Sequence, residues 1–75
     1  MDKLKDLNEG DLLEITTKTP INRRFKLGDV VRVLSFDTDD WYGDRTAAFC
    51  ELMDDTKIGG FVAEGEFKRV VKENK

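Results

Sequence analysis

Four aspartates surround an adjacent pair of aromatic residues in the segment DTDDWYGD, residues 37–44. Carboxylate oxygens at alternating positions are ligands that Ca²⁺ prefers, but a Ca²⁺ loop also needs a Gly at its sixth position and a Glu at its twelfth. Counted from Asp37, those positions hold Tyr42 and Ala48. The pattern therefore predicts no metal site. A solvated acidic loop that repels nucleic acid or steers a basic partner is the better interpretation.

The aromatic pair in this segment, Trp41 and Tyr42, is the clearest indication of a binding surface. Trp and Tyr are enriched at the energetic centres of protein interfaces. The alternative is that one of the two rings covers the end of a thin hydrophobic core. At the level of sequence both roles stay open for Trp41. If Trp41 turns inward, we expect Tyr42 to be the more exposed ring.

Basic residues cluster at one place in the first half of the chain, at Arg23, Arg24, Lys26 and Arg32. Such side chains contact phosphates when they lie on one side of a fold. We favour the alternative of an ordinary solvated face, paired with the excess of acidic residues. The chain carries 13 Lys and Arg against 16 Asp and Glu, a net charge of −3. This balance argues against indiscriminate binding to nucleic acid.

Few residues of the types used in catalysis are present. The single cysteine, Cys50, lies between Phe49 and Glu51 in an apolar stretch, and the chain contains no histidine. Without an imidazole there is no His-activated nucleophile and no ordinary acid–base group near neutral pH. We interpret Cys50 as a small buried apolar residue, and we expect neither an enzyme nor a bound cofactor.

The elements that position these residues are predicted to be five short strands. Alternating or β-branched apolar residues mark strands over residues 12–17, 30–36, 46–53, 58–63 and 68–71. The pair Gly59-Gly60 in the fourth strand indicates a bulge, or the bend that closes a barrel. So few strands hide their edges best by closing into a barrel, which makes all-β the predicted fold class.

A chain of 75 residues forms one domain with a thin core. We expect residues 1–10 to form an N-terminal arm or one short helical turn, residues 11–72 the barrel, and residues 73–75 a tail. Phe25 and Phe67 are predicted to plug the two ends of the barrel. The predicted core consists of Val31, Val33, Ala48, Cys50, Leu52, Phe61 and Val70.

Three stretches resemble SH3 domains and the related small barrels of bacteria and phages. FKLGDVVRV, residues 25–33, is similar to the SH3 segment after the first long loop. DDWY, residues 39–42, is similar to the acidic residue and Trp that follow, and GGFVAEGEFKRV, residues 59–70, to the closing segment. KOW and Tudor-like barrels share the Gly-Asp-x-Val-x-Val opening. The resemblance implies a five-stranded SH3-like barrel with a short 3-10 turn before the last strand.

The groove that binds Pro-rich peptides in SH3 domains is mostly missing here. LLEITT, residues 12–17, replaces the family's Ala-Leu-Tyr-Asp-Tyr first strand, and Ala63 and Glu66 lie where the family places a Pro and a Tyr. In the family the Trp begins the third strand directly, whereas residues 43–45 separate Trp41-Tyr42 from that strand here. The resemblance therefore implies the fold, and peptide binding does not follow from it.

We predict a non-catalytic protein–protein interaction module, and the resemblance implies a small accessory protein of a phage or mobile element that acts on a partner protein. Because two loops flank one groove in SH3 domains, the candidate partner surface combines both: Trp41, Tyr42, Arg45, Asp40, Arg23 and Arg24. The alternative is a KOW-like barrel that binds nucleic acid. It would stack Trp41 or Tyr42 on a base and place on phosphates the residues Arg23, Arg24, Lys26 and Arg32.

Three features of the sequence indicate where the protein is located. A lone cysteine forms no intrachain disulfide, and no apolar run approaches the roughly 20 residues of a membrane span. Residues 1–10 hold no apolar core of a signal peptide. We expect a cytoplasmic chain without membrane contact, as a monomer or a weak homo-oligomer.

Overall fold

Five antiparallel strands form one sheet in the computed structural model, which describes residues 3–70. The strands are β1 (Leu12–Ile15), β2 (Val30–Thr38), β3 (Arg45–Leu52), β4 (Gly59–Val62) and β5 (Phe67–Arg69), preceded by a 3-10 turn (Leu4–Asp6). The predicted all-β fold class is confirmed. Residues 1–2 of the predicted arm, residues 71–72 of the predicted barrel and the predicted tail, residues 73–75, lie outside the described residues.

The sheet has the order β4-β3-β2-β1-β5, with β4 and β5 at its two edges. Over residues 3–70 these edge strands do not pair with each other, so the predicted barrel is not closed. The longest strand, β2, pairs with both β1 and β3. One loop, residues 16–29, enters β2 at Val30, and another, residues 39–44, leaves it after Thr38. The two loops that the sequence marks as functional therefore join opposite ends of β2.

Residues two apart in a strand face the same side of the sheet, so each strand contributes alternate residues to the hydrophobic core. Four predicted core residues, Val31, Val33, Ala48 and Cys50, are buried, and so are both predicted plugs, Phe25 and Phe67. Leu52 is half-buried against this cluster. Further buried side chains are Leu4, Leu7, Leu13, Ile15 and Val62.

Two predicted core residues are exposed, Phe61 by 45% and Val70 by 37%. In β4 the buried residues are Gly60 and Val62, so the alternation of the strand turns Phe61 outward. There its ring packs edge-on against Phe49, with the two ring centroids 5.2 Å apart. Val70 lies beyond the last residue of β5, and its backbone N–H donates to the Leu12 carbonyl at 2.8 Å.

The Gly59-Gly60 pair makes no bulge, because β4 pairs with β3 in regular register, with Gly60 opposite Cys50. It serves a close approach instead. A Cβ placed on Gly60 would lie 1.4 Å from Nδ2 of Asn22, a residue of the loop before β2. That Asn22 nitrogen donates to the Gly59 carbonyl oxygen at 3.1 Å. The glycines therefore let the loop approach the backbone of β4.

The pairing of β2 with β3 shifts register twice, between Val33 and Ser35 and between Asp37 and Thr38. Leu34 is the extra residue at the first shift, and it is exposed. An extra residue reverses the alternation beyond it, so Phe36 packs against the core.

The helical turn also lies elsewhere than predicted. The segment before β5 is a single turn closed by the Glu66 N–H, which donates to the Ala63 carbonyl at 3.2 Å. Within residues 3–70 the 3-10 geometry occurs at Leu4–Asp6. The sequence left open an N-terminal arm or one short helical turn, and the structure has the short helical turn. Leu4 and Leu7 from this turn are buried in the core.

Candidate functional site

The acidic aromatic segment, residues 37–44, forms the end of the β2–β3 hairpin and is called the aromatic tip below. Asp39 donates its N–H to the Asp44 carbonyl at 2.6 Å, and Gly43 donates to the Asp39 carbonyl at 2.9 Å. Gly43 has a φ of 72°, in the left-handed region that glycine enters at little cost. The Asp39 carboxylate also accepts the backbone N–H of Trp41 at 2.8 Å. The tip is thus closed by its own hydrogen bonds.

The two aromatic residues at the end of the tip point into solvent, Trp41 with 88% and Tyr42 with 84% of its surface exposed. This exposure excludes the alternative that Trp41 covers the core. The acidic residues around them form no metal site, since residues 3–70 contain no group of three or more carboxylates or other ligands placed to bind a metal. The tip includes three exposed carboxylates and one that is half-buried, namely Asp37, Asp40, Asp44 and Asp39.

Arg45, predicted to contact a partner, is engaged within the fold. Its Nη1 donates to the carbonyl oxygens of Leu4 at 3.0 Å and Leu7 at 2.7 Å. Its guanidinium carbon lies 3.7 Å from the centroid of the Phe36 ring, a cation–π contact. These contacts hold the N-terminal turn against the first residue of β3. Arg45 therefore supports the base of the tip, and its charge is directed into the protein.

Residues 18–27, called the basic segment below, carry four cations and no acidic residue: Lys18, Arg23, Arg24 and Lys26. Subtracting these four charges from the net charge of −3 leaves −7 for the rest of the chain. All four side chains are exposed, and none forms an ion pair with a carboxylate of the described residues. This loop therefore holds four of the 13 basic residues of the chain with no acidic residue among them.

An open cleft of about 790 Å³ lies on the basic segment. Lys18, Arg23 and Lys26 contribute charge to its lining, and Ile21 and Leu27 contribute apolar surface. Ile21 is 64% exposed and Leu27 is 53% exposed, so both offer apolar surface to a ligand. The cleft suits a ligand that combines anionic groups with an apolar side chain.

Two residues to which the sequence analysis gave no binding role fix the shape of this cleft. Glu66 accepts the Ile21 N–H through Oε2 at 3.0 Å and the Ala63 N–H through Oε1 at 3.0 Å. Oδ1 of Asn22 accepts the Arg24 N–H at 2.9 Å, and Nδ2 of Asn22 donates to the Gly59 carbonyl oxygen in β4. The sequence holds two signals for this contact, a turn-forming Asn in one loop and a Gly pair in a strand. Their proximity is a tertiary contact, which the local sequence pattern does not show.

Arg32 is separated from the basic segment, contrary to the grouping expected from the sequence. Its Nε donates to Glu51 at 2.9 Å, across the β2–β3 ladder. It lines a different cavity, together with Met53 and Arg69. The structure therefore brings Arg23, Arg24 and Lys26 together in one loop but joins them neither to Arg32 nor to the aromatic tip.

Cys50 is fully buried in β3. Burial disfavours the thiolate and raises the pKa of the Cys50 thiol from 9.0 to about 12. Its sulfur lies 3.6 Å from the Ala48 carbonyl oxygen, to which the thiol donates. Because the thiolate is the reactive form of cysteine, this thiol is unreactive near neutral pH.

Comparison of the chain with known protein families, with curated proteins and with solved structures finds no match in any of the three. Within residues 3–70 no helix has the length and apolar character needed to cross a membrane. The aromatic tip and the basic segment are therefore the features from which a function can be inferred.

Proposed function

We propose that this protein is a non-catalytic protein-binding module whose principal contact surface is the aromatic tip. The observation that carries the proposal is the exposure of two adjacent aromatic rings, Trp41 and Tyr42, on a hairpin closed by its own hydrogen bonds. A folded chain gains nothing from holding large apolar rings in water. Their burial against a partner would remove that surface from solvent, which is the main favourable term in association.

The carboxylates of the tip restrict the partner. Asp37, Asp40 and Asp44 are exposed around the rings, and the four acidic residues of the tip are accompanied by no basic residue within residues 37–44. Acidic charge repels the phosphates of nucleic acid, and it speeds association with a basic surface. The partner surface of the tip is therefore proposed to be a protein site with an apolar pocket and basic residues at its rim.

The proposal excludes catalysis by this chain. A cysteine whose pKa is raised to about 12 by burial does not supply a thiolate, and the chain has no histidine to activate another nucleophile. The SH3-like assignment belongs to the same proposal, supported by five short antiparallel strands and the motifs described above. The proposal includes an accessory role in a phage or mobile element, which the resemblance supports, and a cytoplasmic location, which the lone cysteine supports.

Nucleic-acid binding is the second candidate function, because the basic segment presents four cations without ion-pair partners among the described residues. Such a surface is what phosphate contacts require. The stacking ring that completes a single-strand site is separated from it, because the aromatic tip joins the opposite end of β2. Arg32 pairs with Glu51 on another surface. The geometry thus supports this function less well than protein binding.

The test is affinity capture by the tagged chain from an extract of the source cells, with and without nuclease. The wild-type chain is compared with the double variant Trp41→Ala, Tyr42→Ala. The double variant Ile21→Ala, Leu27→Ala serves as the matched control, since it removes exposed apolar side chains from the other loop. A defined protein that survives nuclease and is lost only with the tip variant supports the proposal. Capture that disappears with nuclease overturns it in favour of nucleic acid.

A further inference from the structure

We propose that the aromatic tip of one copy of this chain docks in the cleft of the basic segment of a second copy. The inference goes beyond the proposed function, because it concerns contact between copies of the same chain. It begins from a segregation of charge: residues 37–44 hold four acidic residues and no base, and residues 18–27 hold four bases and no acid. These are the two loops that carry the most exposed apolar side chains.

The cleft supplies what such a contact needs on one side. Its cations are not engaged by carboxylates of the described residues, whereas three other cations are paired: Arg32 with Glu51, Lys68 with Glu14 and Arg69 with Asp11. Its apolar lining is open to solvent: Ile21 lies between Lys18 and Arg23 in the sequence, and Leu27 directly follows Lys26. An incoming apolar ring would therefore be buried within a rim of positive charge.

The tip supplies the matching half. Trp41 and Tyr42 project from a compact turn, with Asp40 directly before them and Asp44 two residues after them in the chain. A cleft of about 790 Å³ lies within the range of roughly 300–1,000 Å³ typical of sites that enclose a small ligand, and it is large enough for an indole ring and part of a neighbouring side chain. Rings in the centre and opposite charges at the rim form a common arrangement of protein interfaces.

The position of the two loops makes the contact intermolecular. The basic segment ends before the first residue of β2, Val30, and the two rings of the tip follow the last residue of that strand, Thr38. The nine residues of β2 therefore lie between the cleft and the rings, and a strand extends by roughly 3.3 Å per residue. Both loops are also held by local bonds, the tip by Asp39 and the basic segment by Asn22 and Glu66. A tip therefore meets the cleft of another copy and not its own.

A nucleic acid is a poorer occupant of this cleft. Sequence-tolerant binding of single strands depends on exposed aromatic faces on which bases stack. Phe25 is the aromatic residue in the lining, and only 2% of its surface is exposed. The remaining lining is aliphatic, polar or cationic, so it offers no exposed aromatic face on which a base could stack. The chemistry favours an acidic, aromatic protein segment, which this chain itself presents.

The first experiment is sedimentation equilibrium of the whole chain across a range of concentrations, at about 0.05 M and about 1 M salt. We expect the average mass to rise with concentration at low salt, and the association constant to fall by about tenfold or more at high salt, because ion pairs at the rim are screened. The variant Lys26→Glu should abolish the rise. Lys57→Glu changes the net charge equally on an exposed residue that lines neither the cleft nor the surface beside the tip, and it should leave the rise intact.

A mixing experiment identifies the occupant. The tip variant Trp41→Ala, Tyr42→Ala keeps an intact cleft, and the cleft variant Arg23→Glu, Lys26→Glu keeps an intact tip. Each should be monomeric alone, and an equimolar mixture should form a heterodimer. A mass that stays monomeric at every concentration overturns the inference, as does a tip variant that still self-associates. If the monomeric wild-type chain binds nucleic acid and the cleft variant does not, the cleft is a nucleic-acid site instead. Capture of a different protein through the tip is unaffected by any of these results.

Discussion

The side-chain amide of Asn22 occupies the space in which a side chain on Gly60 would begin. A Cβ on Gly60 would lie 1.4 Å from Asn22 Nδ2 and 2.5 Å from its Cγ. The same amide donates to the neighbouring Gly59 carbonyl oxygen at 3.1 Å. The loop that carries the cleft is therefore attached to β4 at a point where only a hydrogen atom fits.

Replacement of Gly60 by alanine should lower the free energy of unfolding by about 1–3 kcal/mol, because the added methyl group displaces Asn22. Urea denaturation followed by circular dichroism measures the change. Gly59→Ala is the matched control: its Cβ would lie 3.1 Å from the edge of the Phe49 ring, which can shift, so the loss should be smaller. In an Asn22→Gly background the cost of Gly60→Ala should largely disappear. An equal cost in both backgrounds would show that the contact is not the cause.

The alternation of apolar residues was sufficient to predict the five strands and much of the core. Val31 and Val33 in β2, and Ala48 and Cys50 in β3, are two residues apart and are buried as the pattern requires. Trp41 and Tyr42 were found as a candidate surface because aromatic residues between aspartates do not fit a strand that faces a core.

Other features depend on contacts between distant parts of the chain. The inward side of β4 belongs to Val62 and not to Phe61, because Asn22 packs over Gly60 on that side. The role of Arg45 depends on carbonyl groups 38 and 41 residues away. The separation of Arg32 from the basic segment follows from its pairing with Glu51 in the β2–β3 ladder. None of these can be derived from the local pattern of residue types.

Arg45→Lys should destabilise the protein by about 1–3 kcal/mol, although the charge is kept. A lysine has no planar guanidinium that can lie on the Phe36 ring while a single nitrogen, Nη1 in Arg45, bonds both carbonyl oxygens. Hydrogen exchange should accelerate at the amides of the N-terminal turn, Leu4–Asp6. Arg24→Lys, at an exposed residue, should change stability by less than about 0.5 kcal/mol. Unchanged exchange in the turn of Arg45→Lys would contradict the role assigned to the two carbonyl bonds.

Trp41→Ala should leave the fold intact, with a change of less than about 0.5 kcal/mol, because the ring is 88% exposed. Phe25→Ala removes an aromatic ring that is buried, and it should cost about 3–5 kcal/mol. Thermal denaturation of both variants measures the contrast. In the folded wild type, acrylamide, an uncharged quencher that the carboxylates of the tip do not repel, should quench Trp41 fluorescence nearly as well as in the unfolded chain. Protection of the indole in the dilute, monomeric protein would place it against the core after all.

Cys50→Ser should reduce stability by about 1–3 kcal/mol, because a hydroxyl is costlier than a thiol to bury in an apolar core. Native Cys50 should also resist alkylating reagents that modify it once the chain is unfolded in denaturant. A melting temperature unchanged by Cys50→Ser, or fast alkylation of the folded protein, would place the thiol at the surface.

The raised pKa of Cys50 gives stability a specific dependence on pH. The folded state holds the thiol proton up to a pKa of about 12, whereas the ordinary value is 9.0, so above that value the unfolded chain releases the proton first. The contribution is therefore complete below pH 9.0 and is lost as pH rises toward about 12. Urea denaturation at several pH values measures this slope, and Cys50→Ala should lack it. Equal slopes in the two proteins would contradict the assignment.

The hydrogen bonds within the aromatic tip also determine how much conformational freedom the tip loses when a partner binds. Fixing the backbone of a residue costs about 1–2 kcal/mol in conformational entropy. In this protein the bonds of Asp39 with Trp41, Gly43 and Asp44 fix that backbone during folding. A partner that captures Trp41 and Tyr42 then restricts only two side chains with two rotatable bonds each. Most of the free energy released when the rings leave water would therefore remain as affinity.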